Sequence, residues 1–281
     1  MKNNKDARIN SANHTLQIIE DKQYQVQDKA IDLTSEINYS VSNAKLYTSE
    51  ALEDLLLRIE NKITDENKRT SFFVKNCTSM QAAEEFTAVG KIGCLNFASA
   101  KNAGGGFMSG AQAQEECLTR ASTLYPTLKQ FQRDMYDYNR GRNTYLYSDR
   151  MIYSPAISFF KDDEGRLLPK PYNMDIVTSP AVNIGAMHQN SRLDELPLVE
   201  EVMMNRTDKI LGLFYTHGVN NLILGAWGCG VFRNDPKDVA HYFAHFLKDG
   251  GKYSQCFDNI IFAVYDSGKN QENISAFEKV F

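Results

Sequence analysis

Apolar residues near the start of the chain recur at helical spacing. The clearest stripe, at positions i, i+3, i+4 and i+7, consists of Leu52, Leu55, Leu56 and Ile59. A broken stripe lies over residues 9–19, and the polar stretch between the two stripes leaves room for short strands or loops. Neither glycine nor proline occurs before Gly90. We therefore predict that residues 1–66 form a mainly helical extension packed on a core of residues 67–281.

The pattern changes from about residue 70, where short apolar runs typical of buried strands begin. The predicted strands are residues 71–74, 92–97, 151–154, 174–178, 221–224 and 260–264. Helical patterns separate several of these runs, at residues 79–88, 198–218 and 236–248. Strands that alternate with helices favour a three-layer α/β domain with a largely parallel sheet.

Composition excludes several classes of protein. Hydrophobic residues make up 42% and charged residues 23% of the 281 residues, as in ordinary globular domains, so extensive disorder is excluded. A net charge of −4 argues against a protein that binds duplex nucleic acid through a basic face. Five scattered cysteines without a Cys-x-x-Cys pair indicate neither a disulfide framework nor a zinc site. Without an apolar membrane span or signal sequence, the chain is predicted to be cytoplasmic and, with no apolar stripe left over, monomeric.

A glycine-rich loop follows the predicted strand at residues 92–97. Gly104, Gly105 and Gly106 precede a predicted helix whose first turns carry Gln114, Glu115 and Glu116. Consecutive glycines let a ligand lie against the main chain. Because this loop leaves the carboxyl end of a buried strand, where α/β folds bind ligands, a binding role is favoured over a plain surface turn.

A second glycine-rich loop, residues 225–235, follows the predicted strand at residues 221–224. Pro236 then begins a helix behind an Asn-Asp cap. The loop matches neither Gly-x-Gly-x-x-Gly nor a Walker sequence, yet N–H groups that converge before a helix suit a phosphate or diphosphate. Trp227, the only tryptophan, lies in this loop, and simple packing is an equally good interpretation of it. Two such loops suggest a ligand with a diphosphate and at least one ribose.

Gly-Gly-Gly, seven intervening residues and Gln-Glu-Glu resemble the signature of poly(ADP-ribose) glycohydrolases. The surrounding blocks are similar to bacterial-type members of that family at residues 95–102, 124–126, 151–155, 178–183 and 225–232. The resemblance implies a macrodomain-like three-layer α/β/α fold, with a mixed, mostly parallel sheet. It also implies that water cleaves the ribose–ribose O-glycosidic bond of poly(ADP-ribose), without a metal or another cofactor, and that ADP-ribose is released from chain ends.

The resemblance also assigns roles to individual residues. Glu116 corresponds to the catalytic acid, and Glu115 to the partner that holds the ribose at the scissile bond. The expected substrate-binding residues are Asn102, Gly104, Gly105, Gly106, Gln114, Asn183, Gly228, Cys229, Gly230, Val231 and Phe232. Of these, Gly228 to Val231 would hold the diphosphate, Phe232 would pack against the ribose, and Asn102 would hydrogen-bond a ribose hydroxyl. The chemistry is consistent, because glycoside cleavage needs a carboxylic acid to protonate the departing oxygen.

Two alternatives remain open on the sequence. A macrodomain that binds ADP-ribose without cleaving it needs no positioned acid at residue 116, whereas a hydrolase of ADP-ribose attached to protein side chains could share the whole site.

His241 and His245, four residues apart, lack the further ligands of a zinc motif. The basic run from Lys129 to Arg142 is interpreted as a solvated face with a minor role in attracting a polyanion.

Overall fold

The computed structural model describes residues 4–60, 62–63, 69–86 and 90–281. Its strands are β1 (Gln23–Val26), β2 (Lys29–Asp32), β3 (Lys45–Tyr47), β4 (Ser71–Lys75), β5 (Ile92–Phe97), β6 (Met151–Lys161), β7 (Leu167–Ser179), β8 (Asn221–Leu224) and β9 (Asn259–Ala263). Its α-helices are α1 (Lys5–Asp21), α2 (Thr34–Asn43), α3 (Ser49–Glu60), α4 (Ser79–Phe86), α5 (Gln114–Ala121), α6 (Leu124–Lys129), α7 (Tyr138–Gly141), α8 (Ile184–Gln189), α9 (Val199–Thr216), α10 (Pro236–Leu247) and α11 (Glu272–Glu278).

Seven strands form one sheet in the order β3-β6-β7-β5-β8-β9-β4. The strands from β7 to β4 are parallel, whereas β6 runs antiparallel to both of its neighbours, β3 and β7. The prediction of a mixed, mostly parallel sheet is confirmed. The predicted strands are all present, and β6 and β7 extend further than predicted because they pair as a long antiparallel ribbon.

Both faces of the sheet are covered, which makes the domain three-layered. Alternate strand residues point to opposite faces, so Cys94 packs in one hydrophobic cluster and its neighbour Leu95 in the other. Ile176 and Val177 of β7 divide in the same way. The Leu95 side contains residues of α3, α9, α10 and α11, and the Cys94 side contains residues of α4, α5 and α6.

The N-terminal part contains helices α1, α2 and α3, a two-stranded hairpin of β1 and β2, and β3, which forms an edge of the main sheet. The predicted division between residues 66 and 67 lies outside the described residues, as does the end of the predicted helix at residues 79–88. No helix among the described residues is long and apolar enough to cross a membrane.

The topology places the two glycine-rich loops side by side. Strands β5 and β8 are adjacent and parallel, with Cys94 paired to Ile223. Their carboxyl ends therefore lie at the same edge of the sheet, and the loops that follow them can form one binding crevice.

Candidate active site

Gln114 fixes the start of helix α5 against the end of strand β5. Its Oε1 accepts the main-chain N–H of Phe97 at 2.8 Å, and its Nε2 donates to the carbonyl of Leu95 at 2.7 Å and to Ser79 Oγ at 3.1 Å. The side-chain amide thus continues the hydrogen bonding of the strand into the helix. Because the next two residues are glutamates, this anchor determines where both carboxyl groups lie.

Glu115 lies buried behind the end of β5, with 3% of its surface exposed. Its Oε2 accepts the N–H of Ser99 at 2.7 Å, and Asn96 Nδ2 lies 3.4 Å from its Oε1. Burial raises the pKa of Glu115 to about 8; the nearby charge of Glu116 adds to the increase, and the hydrogen bond from Ser99 opposes it. Glu115 is therefore mostly protonated at neutral pH.

Glu116 is held by the main chain on both sides. The N–H of Gly106 donates to its Oε1 and the N–H of Ala113, the residue before α5, donates to its Oε2, each at 2.9 Å. Only 8% of Glu116 is exposed. The two glutamates, adjacent in the helix, thus bind different segments, as expected if they have distinct roles.

Both the backbone conformation of the loop and the atoms around it require glycines here. Gly104 and Gly105 have φ of +70° and +60°, in the left-handed region that favours glycine. A Cβ atom on Gly105 would lie 2.2 Å from Glu116 Oε1 and 2.9 Å from Glu115 Oε2. The loop can therefore contact both carboxyl groups only because residue 105 lacks a side chain.

The second glycine-rich loop offers main-chain donors to a ligand. Gly228 has φ of +77°, and a Cβ there would lie 2.5 Å from that of Ala181. Among the described residues, no hydrogen-bond acceptor is found for the N–H groups of Gly228, Gly230, Val231 and Phe232. Val231 is 82% exposed, so its main chain is open to a ligand. Such donors suit a diphosphate.

A cleft of about 690 Å³ joins the two loops. The expected site residues that line it are Gln114, Glu115, Glu116, Gly228, Cys229, Gly230, Val231 and Phe232. The structure therefore brings the paired glutamates and the second glycine-rich loop to one cavity. The cleft is also lined by residues whose segments carry no local sequence motif, including Thr78, Tyr265 and Asn273.

Five of the expected binding residues do not line the cleft: Asn102, Gly104, Gly105, Gly106 and Asn183. Asn183 caps helix α8, with its Oδ1 accepting the N–H of Ala186 at 2.8 Å and its Nδ2 donating to Tyr147 at 3.2 Å. Gly104 is buried against Thr119 and Phe107. Asn102 is exposed and accepts from Arg140 Nη2 at 3.2 Å. Direct contact of these residues with a ligand stays a prediction.

Trp227 is a packing residue at the base of the cleft. It is fully buried, packs against Phe243 and donates its Nε1 hydrogen to the carbonyl of Ser179 at 3.0 Å. It thereby ties the second loop to the end of β7. The described residues contain no cluster of three or more His, Cys, Asp or Glu side chains that could hold a metal ion.

Helix α1 supports the glycine loop from outside, a contact that no sequence pattern indicated. Arg8 Nε donates to the carbonyl of Gly110 at 2.7 Å, and Thr15 Oγ1 donates to the carbonyl of Arg120 in α5. A Cβ on Gly110 would lie 2.9 Å from the carbonyl oxygen of Lys5. The extension therefore contacts both the exit of the loop and the helix that carries the glutamates.

Known proteins resemble the chain over nearly its full length. The family model "Microbial-type PARG, catalytic domain" matches residues 12–162. The crystal structure of poly(ADP-ribose) glycohydrolase (PARG) from Thermomonospora curvata has 37% sequence identity and a TM-score of 0.90, covering 98% of this chain and 99% of that chain. A Deinococcus radiodurans enzyme of the same name, in complex with ADP-ribose, has 40% identity and a TM-score of 0.81, covering 86% and 96%. No curated protein sequence matches the chain.

Proposed function

Because the chain belongs to the microbial-type poly(ADP-ribose) glycohydrolases, we infer that it hydrolyses the ribose–ribose O-glycosidic bond of poly(ADP-ribose) and releases ADP-ribose. One observation carries the inference: two buried glutamates that contact a glycine loop line a cleft that also contains unpaired main-chain donors. The related Deinococcus enzyme binds ADP-ribose, and the Thermomonospora enzyme binds the inhibitor ADP-HPD. The same resemblance supports describing the fold as a macrodomain.

The arrangement of the cleft supports a bound ADP-ribose unit with its diphosphate on the second loop. Gly228, Gly230, Val231 and Phe232 offer N–H groups there, and such groups supply positive potential to an anion. The ribose at the scissile bond would then lie between Phe232 and the glutamates, all of which line the cleft. Glu115, protonated at neutral pH, has an O–H to donate to a ribose hydroxyl.

We assign the catalytic step to Glu116. In this step the bond between the anomeric carbon and the departing oxygen breaks, the electron pair stays on the oxygen, and that oxygen takes the proton of Glu116. A water molecule then adds to the oxocarbenium-like carbon and gives a proton to the Glu116 carboxylate, which restores the acid. The N–H groups of Gly106 and Ala113 hold the carboxyl group in a fixed position for both transfers.

Purified protein incubated with labelled poly(ADP-ribose) tests this proposal. The wild type is expected to release ADP-ribose, and Glu116→Gln is expected to lose about 10²- to 10⁴-fold in rate, the range for removal of a general acid. Glu201→Gln is the matched control, because Glu201 is exposed in the first turn of α9. Binding of the polymer without release of ADP-ribose would show a binding module instead.

A second substrate distinguishes a poly(ADP-ribose) glycohydrolase from a hydrolase of ADP-ribose attached to protein side chains. A protein that carries single ADP-ribose groups on its side chains contains no ribose–ribose bond, so preferential cleavage of this substrate would identify a hydrolase of protein-linked ADP-ribose.

Cleavage from chain ends is part of the proposal and is checked by the products. Early release of free ADP-ribose supports it, and early accumulation of oligomers contradicts it.

We also propose that the protein acts in the cytoplasm as a monomer. No disulfide joins any of its five cysteines, which all lie in the described part of the chain, as expected in a reducing compartment. Sedimentation of the purified protein measures its oligomeric state and so tests whether it is a monomer. A dimer at micromolar concentration would contradict it.

A further inference from the structure

A second cavity, which we call the outer cavity, lies against the glycine loop. It has a volume of about 540 Å³ and is lined in part by Gly105, Gly106, Met108, Tyr125, Lys129 and Arg140. Glu115 and Glu116 do not line it, although Gly105 and Gly106 contact their carboxyl groups. The loop is therefore a thin wall with the acids on one side and the outer cavity on the other.

The outer cavity is basic. Lys129 is exposed, its ammonium group hydrogen-bonds only Gln132 at 3.2 Å, and it forms no ion pair with any described residue. Arg140 Nη1 pairs with Asp137 at 2.5 Å, and its Nη2 donates to Lys101 and Asn102 in the segment before the glycines. Lys129 thus has a charge available for an anion, while Arg140 adds a partly compensated one.

The same cavity has apolar surface beside these charges. Met108 is 50% exposed, and the half-buried ring of Tyr125 lies 5.0 Å from that of Phe107. An anion with an aromatic group attached matches this combination better than inorganic phosphate does, because a base can stack on a ring and a thioether while its phosphates meet the cations.

The path of the substrate leads to this cavity. If, as proposed above, Glu116 protonates the departing oxygen, that oxygen belongs to the adenosine ribose of the next polymer unit. To reach the outer cavity from the cleft, this unit would extend across the edge of the loop at Gly105 and Gly106, which contact that carboxyl group but do not line the cleft. The concave surface beyond those glycines is the outer cavity, and the unit that reaches it carries an adenine and a diphosphate.

We propose that the outer cavity is a subsite for the leaving ADP-ribose unit, with Lys129 binding its diphosphate and Met108 and Tyr125 contacting its adenine. The proposal rests on the proposed function and extends it from one ADP-ribose unit to two. It makes the protein select for a polymer over ADP-ribose attached to other groups, because only a polymer fills both sites.

Two substrates test the subsite. Labelled poly(ADP-ribose) has a nucleotide on the leaving side, whereas an α-ADP-ribosyl aryl ether has only a phenol. Lys129→Glu is expected to lower kcat/KM on the polymer about tenfold, mainly through KM, since a charge-assisted phosphate contact becomes repulsive. On the aryl ether, kcat/KM should stay within about twofold, because no group there reaches residue 129.

Salt provides a second readout. For the polymer, we plot log kcat/KM against log salt concentration. The slope of this plot should become shallower by about 0.7 in Lys129→Ala, because one phosphate contact is lost. Met108→Glu tests the adenine side and should also impair the polymer alone. Lys170→Glu is the matched control, because Lys170 is exposed and lies at the start of β7, far from the carboxyl ends of the strands.

The outcomes distinguish this proposal from the proposed function. A wild type that cleaves both substrates, with Glu116→Gln inactive on both, supports the general function whatever Lys129→Glu does. Equal loss on both substrates in Lys129→Glu, or no loss on the polymer, would overturn the subsite. A wild type inactive on both substrates would overturn the function and the subsite together. The variant should fold normally, since Lys129 is exposed.

Discussion

The α-carbon of Gly105 lies against the carboxyl group of Glu116, so closely that a Cβ atom at residue 105 would be 2.2 Å from Glu116 Oε1. Gly105→Ala must therefore displace the acid or the loop. We expect kcat to fall about 100-fold, the usual effect of a misplacement of roughly 1 Å at a reacting group. Steady-state kinetics on labelled poly(ADP-ribose) measures the change.

Gly105→Ala also forces alanine into a left-handed conformation, at a cost of about 1–2 kcal/mol in the free energy of unfolding. Gly218→Ala is a control for this strain, because Gly218 has φ of +65° but no neighbouring atom within 4 Å of the position that its Cβ would take. The control should lose stability to a similar extent and keep its activity. Normal activity in Gly105→Ala would contradict the close contact with the acid.

The pKa of about 8 at Glu115 predicts a pH-dependent stability. Its ordinary value is 4.5, so between pH 4.5 and 8 the folded protein binds a proton that the unfolded chain releases. The stabilisation is fully present below pH 4.5 and is lost as the pH rises through about 8. Relative to Glu115→Gln, which cannot ionise, the wild type should lose on the order of 3 kcal/mol across this range.

Urea unfolding of the wild type and Glu115→Gln at several pH values measures this difference. Subtraction of the two curves removes the contributions of groups that titrate equally in both proteins. Glu201→Gln, an exposed glutamate variant, should run parallel to the wild type at all pH values. A constant difference between the wild type and Glu115→Gln from pH 4.5 to 8 would show that Glu115 titrates normally.

Much of the central sheet could be predicted because its strands are short apolar runs bounded by breaks in the pattern. Ile92–Phe97 and Asn221–Leu224 are completely or almost completely buried, and burial on both faces leaves a continuous apolar signal. The N-terminal part is harder to predict from its sequence. Strand β3 has only three residues, and its membership of the sheet depends on pairing with β6, more than a hundred residues away.

The candidate site shows the same division. The placement of Glu115 and Glu116 beside the glycines follows from a loop between a strand and a helix, which the sequence displays locally. The hydrogen bond from Asn183 to Tyr147 and the support of Gly110 by Arg8 depend on contacts between distant segments. Such contacts have no spacing pattern, so residue types alone could not reveal them.

The buried side chain of Lys161 predicts a stability that rises with pH, which is opposite to the effect of Glu115. It is 1% exposed, and its Nζ donates to the carbonyl of Ser11 at 2.9 Å and to Thr15 Oγ1 at 2.7 Å. Burial, and then the charge of Arg120, lower its pKa from 10.5 to about 8. From pH 8 to 10.5 the unfolded chain binds a proton that the folded protein has released, so stability should rise with pH in this window.

The comparison for Lys161 uses Lys161→Met, which cannot titrate. The wild type should gain on the order of 2 kcal/mol relative to this variant between pH 8 and 10.5, as measured by urea unfolding. Lys170→Met, at an exposed lysine, should show no such gain. If the wild type and Lys161→Met keep a constant separation over this window, the lysine is not buried against α1 as described.

Arg206 of helix α9 joins two other segments, residues 146–149 and Pro180. It is fully buried, with Nη1 donating to the carbonyl of Pro180 at 2.9 Å, Nη2 to that of Leu146 at 3.0 Å and Nε to Asp149 Oδ1 at 3.0 Å. Burial opposes the charge on Asp149, but Arg206 and Lys209 outweigh it and hold the pKa of Asp149 below its usual value. The cluster is thus an ion network around a fully buried arginine.

Arg206→Met should therefore lower the free energy of unfolding by about 3–5 kcal/mol, because it leaves two carbonyl oxygens unpaired and removes one of the cations that neutralise Asp149. Urea unfolding at neutral pH measures the change. Arg166→Met is the control: Arg166 is 74% exposed in its ion pairs with Asp162 and Glu164, and its loss should cost less than about 1 kcal/mol. Similar losses in the two variants would mean that the Arg206 network contributes no more than a surface ion pair.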